Sequence, residues 1–390
     1  PHPLAAQAWN DLFIEQTREK SYGYPPLSME LSSYPEFDAH LSYLYEPANQ
    51  SAHIEVDIYR PLGDKQNVYL GLDIGSTSTK AVIINSQNEP LAGLYTQTAG
   101  APLKAVQAIF EALDDISQKQ GCTFIFDGVG TTGSGRKFIG RIVNADLIID
   151  EITAHARAAY ELNNEADTII EIGGQDAKFI NVRGGVVVDS DMNRACSAGT
   201  GSFLEEQAVL HGVDDIVRFG ELAGEGHNPP DLGQTCTVFV ADKAAEALND
   251  GYSLADVFAG FQYSVIRNYK NRVMGNRQFL DRIFFQGKPA SSESLARTLS
   301  VVTGREVLVP PNPGAMGAIG IALLARQALG AVDGNQPLDL APLLQARVVE
   351  RRTFRCADRT CRNLCRIESA AVEIRGEQRR VVSGGSCPKY

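Results

Sequence analysis

The sequence predicts an α/β protein of two related lobes, each built on a mixed sheet. The first observation is a strand–turn–strand segment at residues 72–85, whose turn is rich in glycine, serine and threonine. The second is a near copy at residues 170–181, with the same order of strand, acid, Ile-Gly, polar turn, lysine, strand and asparagine. The third is the alternation of helices and strands after each segment. Two such hairpins in one chain predict two lobes facing a shared cleft.

Length and composition limit the class of protein. A chain of 390 residues is too long for one small core, and 44% hydrophobic with 21% charged residues is ordinary for a globular protein. A net charge of −11 argues against nucleic acid as a partner. No run of eighteen apolar residues predicts a membrane span, and no export signal is visible, so we expect a cytoplasmic location. The chain begins at Pro1 rather than Met, as expected of a mature form, a trimmed chain or a piece of a longer protein.

Changes in composition predict five segments. Residues 1–67 form an extension or linker, with one amphipathic helix at 5–20 and otherwise irregular structure rich in Tyr, Pro and Ser. Lobe I covers 68–164, and lobe II covers 165–330 with a closing helix. Residues 331–346 are a linker, and 347–390 are a cysteine-rich tail.

Apolar patterns predict the elements of lobe I in order. The strands are 68–74, 80–84 and 91–98, and a helix follows with apolar residues at helical spacing from Leu103 to Ile116. A strand at 124–129, a glycine-rich turn at 130–136, a strand at 146–149 and a helix at 151–162 complete the lobe.

Lobe II begins with the second hairpin and a third strand at 185–189. Cysteine-led helices are predicted around 196–211 and 236–250, and a long helix at 253–274. A strand at 282–285, a helix from about 292, a strand at 306–309 and a helix of small residues at 314–329 follow. The small residues would let this last helix pack very closely against a neighbour.

The two hairpin turns form a candidate site for a nucleotide triphosphate. Asp73 ends a strand where Mg²⁺ would need a carboxylate, and Asp176 or Gln175 is placed to orient an attacking water. Turn N–H groups, hydroxyls and lysines would hold the phosphates, contributed by Gly75, Ser76, Thr77, Thr79, Lys80, Gly173, Gly174 and Lys178. The alternative is that these are ordinary turns and that both lysines lie on solvated strand faces.

Cys196 and Cys236 each stand at or just before a predicted helix N-terminus, where the helix dipole favours a thiolate. Two cysteines cannot complete a four-cysteine site, but two subunits across a two-fold axis would. The alternative is a pair of buried structural thiols.

The tail carries Cys356, Cys361, Cys365 and Cys387 within a short polar stretch. This grouping suggests a zinc or iron–sulfur site, although the spacing is irregular for a zinc ribbon; free thiols are the alternative. His155 is expected to be a structural histidine, whereas Arg136 suits either a phosphate or a helix cap.

With these residues identified, the sequence resembles the ATP-dependent activators of 2-hydroxyacyl-CoA dehydratases and the related ATPase subunits of benzoyl-CoA reductases. The resemblance covers roughly residues 68–330. Its most specific stretches are 171–178 (EIGGQDAK), 192–204 (MNRACSAGTGSFL) and 236–239 (CTVF), supported by 72–80, 132–136, 151–155 and 309–320.

The resemblance implies an acetate and sugar kinase/Hsp70/actin fold, which is ribonuclease H-like, and an ATPase that uses ATP and Mg²⁺. It implies a homodimer with one 4Fe–4S cluster ligated by Cys196 and Cys236 of each subunit. It implies an electron donor such as ferredoxin or flavodoxin and an acyl-CoA dehydratase or reductase as partner. It places Gly287, Gly314 and Gly317 around the nucleotide. The flanks resemble long proteins with two activator modules, of which this chain would be a piece.

One position departs from the family pattern. Lys288 follows Gly287 where the family usually has a second glycine, in the segment expected beside the adenosine, so a lysine there would crowd or redirect the nucleotide. Two alternative functions therefore stay open. One is a small-molecule kinase of the same fold, and the other is a degenerate regulatory module without catalysis.

Overall fold

The structure is a computed structural model that describes residues 23–27, 32–33, 41–43, 45–46, 53–193, 199–213, 215–330, 338–358, 360–361, 363–385 and 387. The helix predicted at 5–20 and the residue Cys196 lie outside the described residues. No helix among the described residues is long and apolar enough to cross a membrane.

The N-terminal extension contributes strands to both lobes. Its strands are β1 (Ser32–Ser33), β2 (Leu41–Tyr43) and β3 (Ile54–Ile58). The irregular structure predicted for this region is wrong at β3, whose alternating buried and exposed residues pair antiparallel with a lobe I strand. Elsewhere the extension packs through aromatic rings, as Tyr24 does by stacking on Tyr263 at a centroid distance of 4.3 Å.

Lobe I is a seven-stranded mixed sheet with helices against it. Its elements are β4 (Lys65–Ile74), β5 (Ser78–Ile84), β6 (Pro90–Gln97), α1 (Pro102–Gln120), β7 (Thr123–Thr132), α2 (Arg136–Ile142), β8 (Leu147–Ile148) and α3 (Glu151–Leu162). The strand order is β2-β3-β6-β5-β4-β7-β8. β4 pairs antiparallel with β5 and parallel with β7, so the hairpin and the next strand of the lobe share one sheet.

Lobe II repeats this arrangement with a six-stranded sheet. Its elements are β9 (Thr168–Ile172), β10 (Ala177–Arg183), β11 (Val186–Met192), α4 (Gly201–Leu210), α5 (Ile216–Gly224), α6 (Thr237–Asn249), α7 (Leu254–Tyr269), β12 (Arg282–Gln286), α8 (Glu293–Thr303), β13 (Glu306–Leu308) and α9 (Met316–Leu329). The order is β1-β13-β12-β9-β10-β11. β9 pairs antiparallel with β10 and parallel with β12, as β4 does with β5 and β7.

Helices α3 and α9 pack between the two sheets. A hydrophobic cluster joins α9 to α3 and to strands of both lobes, including Val82, Phe284 and Leu323. The close packing predicted for α9 is confirmed: a Cβ on Gly71 would lie 2.0 Å from the Ala318 carbonyl oxygen, and one on Gly320 would lie 1.8 Å from that of Ala154. Although α9 is the last element of lobe II, it therefore packs closely on strand and helix backbone of lobe I.

The tail forms a three-stranded antiparallel sheet that packs on lobe I. Its elements are α10 (Ala341–Leu344), β14 (Arg347–Arg355), β15 (Arg366–Ile374) and β16 (Glu377–Gly384). Val372 and Val381 are buried in the lobe I core, and the Gln107 amide donates to the Ala346 carbonyl at 2.7 Å.

Candidate active site

The two predicted hairpin turns face each other across one cleft. Ser76 Oγ of the first turn lies 3.5 Å from Gln175 Oε1 of the second, and a Cβ on Gly174 would lie 3.5 Å from the Thr77 methyl. Each turn closes on its own backbone: the Gly75 N–H donates to the Ser78 carbonyl at 3.0 Å, and the Gly173 N–H donates to that of Asp176 at 2.8 Å. The fold therefore places the two turns at opposite walls of one site.

Both hairpins place an acid directly opposite a lysine. Asp73 pairs with Lys80 in the β4–β5 register, and Glu171 pairs with Lys178 in the β9–β10 register. The Lys80 ammonium lies 3.8 Å from Asp73 Oδ2, and the Lys178 ammonium lies 2.8 Å from Glu171 Oε2. The two hairpins thus share a sequence pattern and also the placement of an acid directly opposite a lysine.

Lys178 is held by three carboxylates at the base of the cleft. Its side chain is 2% exposed, and its ammonium also lies 3.2 Å from Glu151 Oε2 and 3.2 Å from Asp176 Oδ1. Burial by itself would lower the pKa of Lys178, but Glu171, Glu151 and Asp176 outweigh it and raise the pKa. Lys178 is therefore a permanent cation that orders the acids around it, and its predicted role in neutralising phosphate charge remains a prediction.

Glu151 was not predicted as a site residue, and the structure places it in the cleft. Burial raises the pKa of its carboxyl group, Lys178 lowers it, and the nearby charges of Asp176, Asp73 and Glu171 raise it further; the net direction is upward. Glu171 and Ser134 also line the cleft without having been predicted. The repeat offered a signal for Glu171, which occupies the position of Asp73 in the second hairpin.

Asp73 lines the cleft and is 7% exposed. A Cβ on Gly133 would lie 2.6 Å from Asp73 Oδ1, and one on Gly317 would lie 2.7 Å from Oδ2, so both sites exclude a side chain. His155 lines the same cleft, and its Nδ1 lies 2.6 Å from Gln286 Oε1. The predicted structural histidine thus has a buried partner and also faces the candidate site.

Two hydroxyl groups beside Asp73 have no protein partner among the described residues. They are Thr77 Oγ1 in the first turn and Thr132 Oγ1, which sits on the β7 residue directly opposite Asp73. Buried hydroxyls without partners are uncommon, and they suit a position where a ligand, ion or water binds. This observation fits a site for phosphate oxygens and a hydrated cation.

Three predicted ligands lie behind or beside the cleft wall. Thr79 is fully buried, and its hydroxyl lies 2.9 Å from that of Thr98, which in turn donates to the Gly75 carbonyl. Gly287 has φ of +94°, and a Cβ there would lie 1.9 Å from the Ile172 carbonyl oxygen. Gly314 packs against the Lys288 backbone. Thr79 and Gly287 support the hairpins through Thr98 and the Ile172 carbonyl, and nucleotide contacts at all three positions remain predictions.

Lys288 points toward lobe I. Its ammonium lies 2.7 Å from Glu55 Oε2 on β3 and 3.8 Å from the centre of the Tyr95 ring on β6. The side chain that departs from the family pattern therefore joins the two lobes beside the candidate site.

Cys236 is exposed and is the N-cap residue of α6. The apolar side chains that follow it, Val238 and Phe239, are 63% and 61% exposed. Large exposed apolar groups of this kind are typical of association surfaces. Since Cys196 is outside the described residues, only one of the two predicted cluster ligands can be placed.

The four tail cysteines differ in exposure, and two of them are neighbours, since the Cys356 N–H donates to the Cys365 carbonyl at 2.8 Å. Cys356 is buried, Cys361 and Cys387 are exposed, and Cys365 is half-buried. Within the described parts of the chain, no three His, Cys, Asp or Glu side chains converge on a metal position. Metal binding by the tail remains a prediction.

The fold and the paired hairpins define a two-lobed ATPase of the acetate and sugar kinase/Hsp70/actin class. The chain belongs to the BadF/BadG/BcrA/BcrD ATPase family, whose model matches residues 70–325. It is accordingly an ATPase that binds ATP. The predicted family and fold are confirmed.

Two relatives and one solved structure illustrate the similarity. The activator of lactoyl-CoA dehydratase from Anaerotignum propionicum is 34% identical over 268 residues, covering 66% of this chain and 97% of the relative. The 2-hydroxyisocaproyl-CoA dehydratase activator of Clostridioides difficile is 30% identical over 268 residues, covering 66% and 94%. The structure of such an activator from Clostridium difficile with bound ADPNP has a TM-score of 0.60 at 28% identity, covering 69% of this chain and 99% of that one.

Proposed function

We propose that this chain is a reductive activator that uses ATP hydrolysis to deliver a low-potential electron to an acyl-CoA dehydratase or reductase. The named relatives are activators of such dehydratases, which supports the class of partner. The finer parts of the proposal are Mg²⁺, the cluster, the homodimer and a ferredoxin or flavodoxin as electron donor.

The observation that carries the proposal is a direct backbone link between the second turn and α4. The Gly201 N–H donates to the Gly173 carbonyl at 2.9 Å, and the Ser202 N–H donates to the Gly174 carbonyl at 3.0 Å. Gly201 begins α4, whose N-terminal flank in sequence carries Cys196. If nucleotide binding shifts the second turn, these two hydrogen bonds would therefore transmit the shift to the segment that bears this cysteine.

The end of α7 adds a second link. The Tyr269 hydroxyl donates to the Lys178 carbonyl at 2.8 Å, and a Cβ on Gly199 would lie 3.2 Å from the Tyr269 nitrogen. The neighbouring Asn268 amide donates at 3.3 Å to the carbonyl of Thr235, the residue before Cys236. One helix turn thus contacts the second hairpin and backbone that is close in sequence to each of the two cysteines.

The acids and lysines of the cleft fit a metal-bound triphosphate. The lining includes four carboxylates and two lysines, so a polyphosphate entering alone would meet excess negative charge. Asp73 would hold Mg²⁺ together with phosphate oxygens and water, because this ion usually takes only one or two carboxylates from the protein. That usage agrees with the lack of a ready-made metal cage among the described residues.

The two turns would divide the triphosphate between them. N–H groups and hydroxyls at Gly75, Ser76 and Thr77 would hold one side of it, and Gly173 and Gly174 would hold the γ-phosphate from the other. Gln175 or Asp176 would orient the attacking water. Lys178 would keep Glu151, Glu171 and Asp176 in fixed positions during the reaction.

The exposed thiol of Cys236 at a helix N-terminus fits the ligand set of a 4Fe–4S cluster completed by Cys196 and a second subunit. Such a cluster supplies one low-potential electron. The exposed Val238 and Phe239 support association through this face, because apolar side chains are expected at the buried centre of a dimer interface.

The test is anaerobic purification followed by measurement of iron, sulfide, mass and ATPase rate. The comparison uses wild type, Cys196→Ala, Cys236→Ala and the control Cys122→Ala, whose thiol is buried in lobe I. We expect about four iron and four sulfide per wild-type dimer, retained in the control and lost from the other two. A colourless wild-type monomer, or full iron content in Cys236→Ala, would overturn the cluster assignment. ATP turnover without iron would instead favour a kinase of the same fold.

A further inference from the structure

A pocket of about 620 Å³ lies between α2 of lobe I and the tail sheet. Its walls come from the turn at 134–135, from α2 and from all three tail strands. A volume of this size falls in the range of small-molecule sites. The pocket is separate from the hairpin cleft, although Ser134 lines both.

The pocket is strongly cationic in a protein of net charge −11. Its charged lining residues are Arg136, Lys137, Arg351, Arg352, Arg366 and Glu368. The described lining residues therefore include five cations and one carboxylate. Cations crowded into a pocket repel one another, and a multiply charged anion would relieve that repulsion.

The local contacts show how these cations are arranged. The Arg351 guanidinium lies 5.6 Å from the centre of the Phe138 ring, so a planar cation stacks on an apolar wall. Burial lowers the pKa of Lys137, the neighbouring charge of Arg136 lowers it further, Cys387 raises it and Arg141 lowers it, and the net direction is downward. Three of these cations have partners outside the lining: Arg136 donates to the Gly133 carbonyl at 2.8 Å, Lys137 donates to the Cys387 carbonyl at 2.9 Å, and Arg352 Nε lies 2.6 Å from Glu350.

We propose that this pocket is a second anion site, which binds a small phosphate-bearing ligand of about mononucleotide size. Guanidinium groups present paired N–H donors that match phosphate oxygens. The hydroxyls of Ser369 and Ser383 and the backbone of Gly384 and Gly385 add further polar groups to the lining. Enclosure between a helix and a sheet favours a compact ligand over an extended chain.

The wall shared with the ATP site gives the ligand a route to influence catalysis. The Gly135 N–H donates to the Ile74 carbonyl at 2.8 Å, and Ser134 Oγ lies 3.3 Å from the same oxygen. Ile74 is the residue after Asp73. Binding in the pocket would therefore shift the backbone that positions the Asp73 carboxylate.

The test is calorimetric titration of pyrophosphate into four proteins, after thermal melting has shown that all four have the same melting temperature. They are wild type, the pocket variant Arg351→Gln/Arg366→Gln, the control Arg347→Gln/Arg379→Gln, and the cleft variant Lys80→Gln. The control removes two arginines of the same tail sheet that do not line the pocket. We expect the pocket variant to bind at least tenfold more weakly, and the control and cleft variants to bind as wild type does.

Three results would overturn the proposal. They are no binding to wild type, equal binding by the pocket variant, or loss of binding only in Lys80→Gln, which would assign pyrophosphate to the ATP cleft. A hexaglutamate peptide added as competitor should leave the affinity for pyrophosphate unchanged. Displacement of pyrophosphate by that peptide would identify the pocket as a docking site for an acidic chain and overturn the small-ligand assignment.

Discussion

Lys288 of lobe II forms an ion pair with Glu55 of lobe I, with 2.7 Å between Nζ and Oε2. Glu55 is the end of a row of directly opposed residues that crosses four strands, Asp73, Lys80, Tyr95 and Glu55. Directly opposed residues share a face of the sheet, so the row runs from the candidate Mg²⁺ ligand to the β3 residue that Lys288 contacts. The same ammonium lies over the Tyr95 ring. Lys288 therefore ties the lobes together on the face that carries the active site.

We expect Lys288→Ala to speed dissociation of bound ATP about three- to tenfold, because the variant loses a half-exposed ion pair and a cation–π contact that oppose lobe opening. Stopped-flow fluorescence with a labelled ATP analogue measures this rate.

Two further variants make that measurement specific. Lys288→Arg keeps the charge and should stay within about twofold of wild type. Adding Glu55→Gln to Lys288→Ala should have little further effect, since both remove the same contact. Independent, additive effects of the two substitutions would show that the contact does not hold the lobes.

Lys178→Met should destabilise the protein by about 3–5 kcal/mol, because it leaves three carboxylates around one buried position without their cation. ATPase activity should fall with it. Urea denaturation at pH 7 measures the loss, and Lys104→Met on the exposed face of α1 is the matched control. Adding Glu171→Gln should recover part of the stability. If Lys178→Met unfolds at the wild-type urea concentration, the three-carboxylate arrangement is wrong.

Gly317→Ala should lower the ATPase rate about 10- to 100-fold while leaving the fold intact. The new methyl group would lie 2.7 Å from Asp73 Oδ2 and 3.2 Å from His155 Nε2, so the Asp73 carboxylate must move. Gly330→Ala, at the other end of the same helix, has its nearest contact at 3.4 Å and serves as control. Steady-state kinetics measures the ATPase rates of both variants. Equal rates would show that Asp73 does not act in catalysis.

Asp256 should contribute stability that depends on pH. Burial raises the pKa of its carboxyl group, but hydrogen bonds from the Ser253 hydroxyl and from the N–H groups of Asn228, Ser253 and His227 outweigh this and lower the pKa. A carboxyl group whose pKa is lowered by folding adds stability above its unfolded pKa, and this stability is lost as the pH falls through the folded value.

Asp256→Asn should therefore lower the free energy of unfolding by about 1–2 kcal/mol at pH 7, and the difference from wild type should shrink below about pH 4. Urea denaturation at several pH values measures it. Asp242→Asn, at an exposed position on α6, should change little at any pH. A constant difference between Asp256→Asn and wild type from pH 7 to pH 3 would contradict the explanation.

Local patterns predicted most elements of both lobes to within a few residues. The helix predicted at 151–162 is α3 at the same bounds, since Asp150 caps it and its apolar face repeats at helical spacing. The long helix predicted at 253–274 ends as an α-helix at Tyr269 and continues as a π-helical turn to Met274. In this segment the apolar spacing of a helix continues, although the backbone hydrogen bonds change from α-helical to π-helical.

Two regions were missed because stronger signals nearby concealed them. β3 alternates buried Ile54, Val56 and Ile58 with exposed acids, but it lies at the end of a Tyr- and Pro-rich extension. The tail strand β14 is exposed along nearly its whole length, so it shows no clear alternation of apolar and polar residues. Its pairing with β15 and the burial of Val372 and Val381 in the lobe I core are long-range effects.

The sequence by itself determined the two hairpins, their acids and lysines, and the family, because each is encoded in a short run of residues that interact locally. Only the tertiary structure decided that Glu151 joins the cleft, that Lys178 is neutralised by three carboxylates, and that Lys288 bridges the lobes. It also brought α2 against the tail sheet to form the cationic pocket. These relationships join residues far apart in the chain, and their charges and distances follow from packing that no local pattern records.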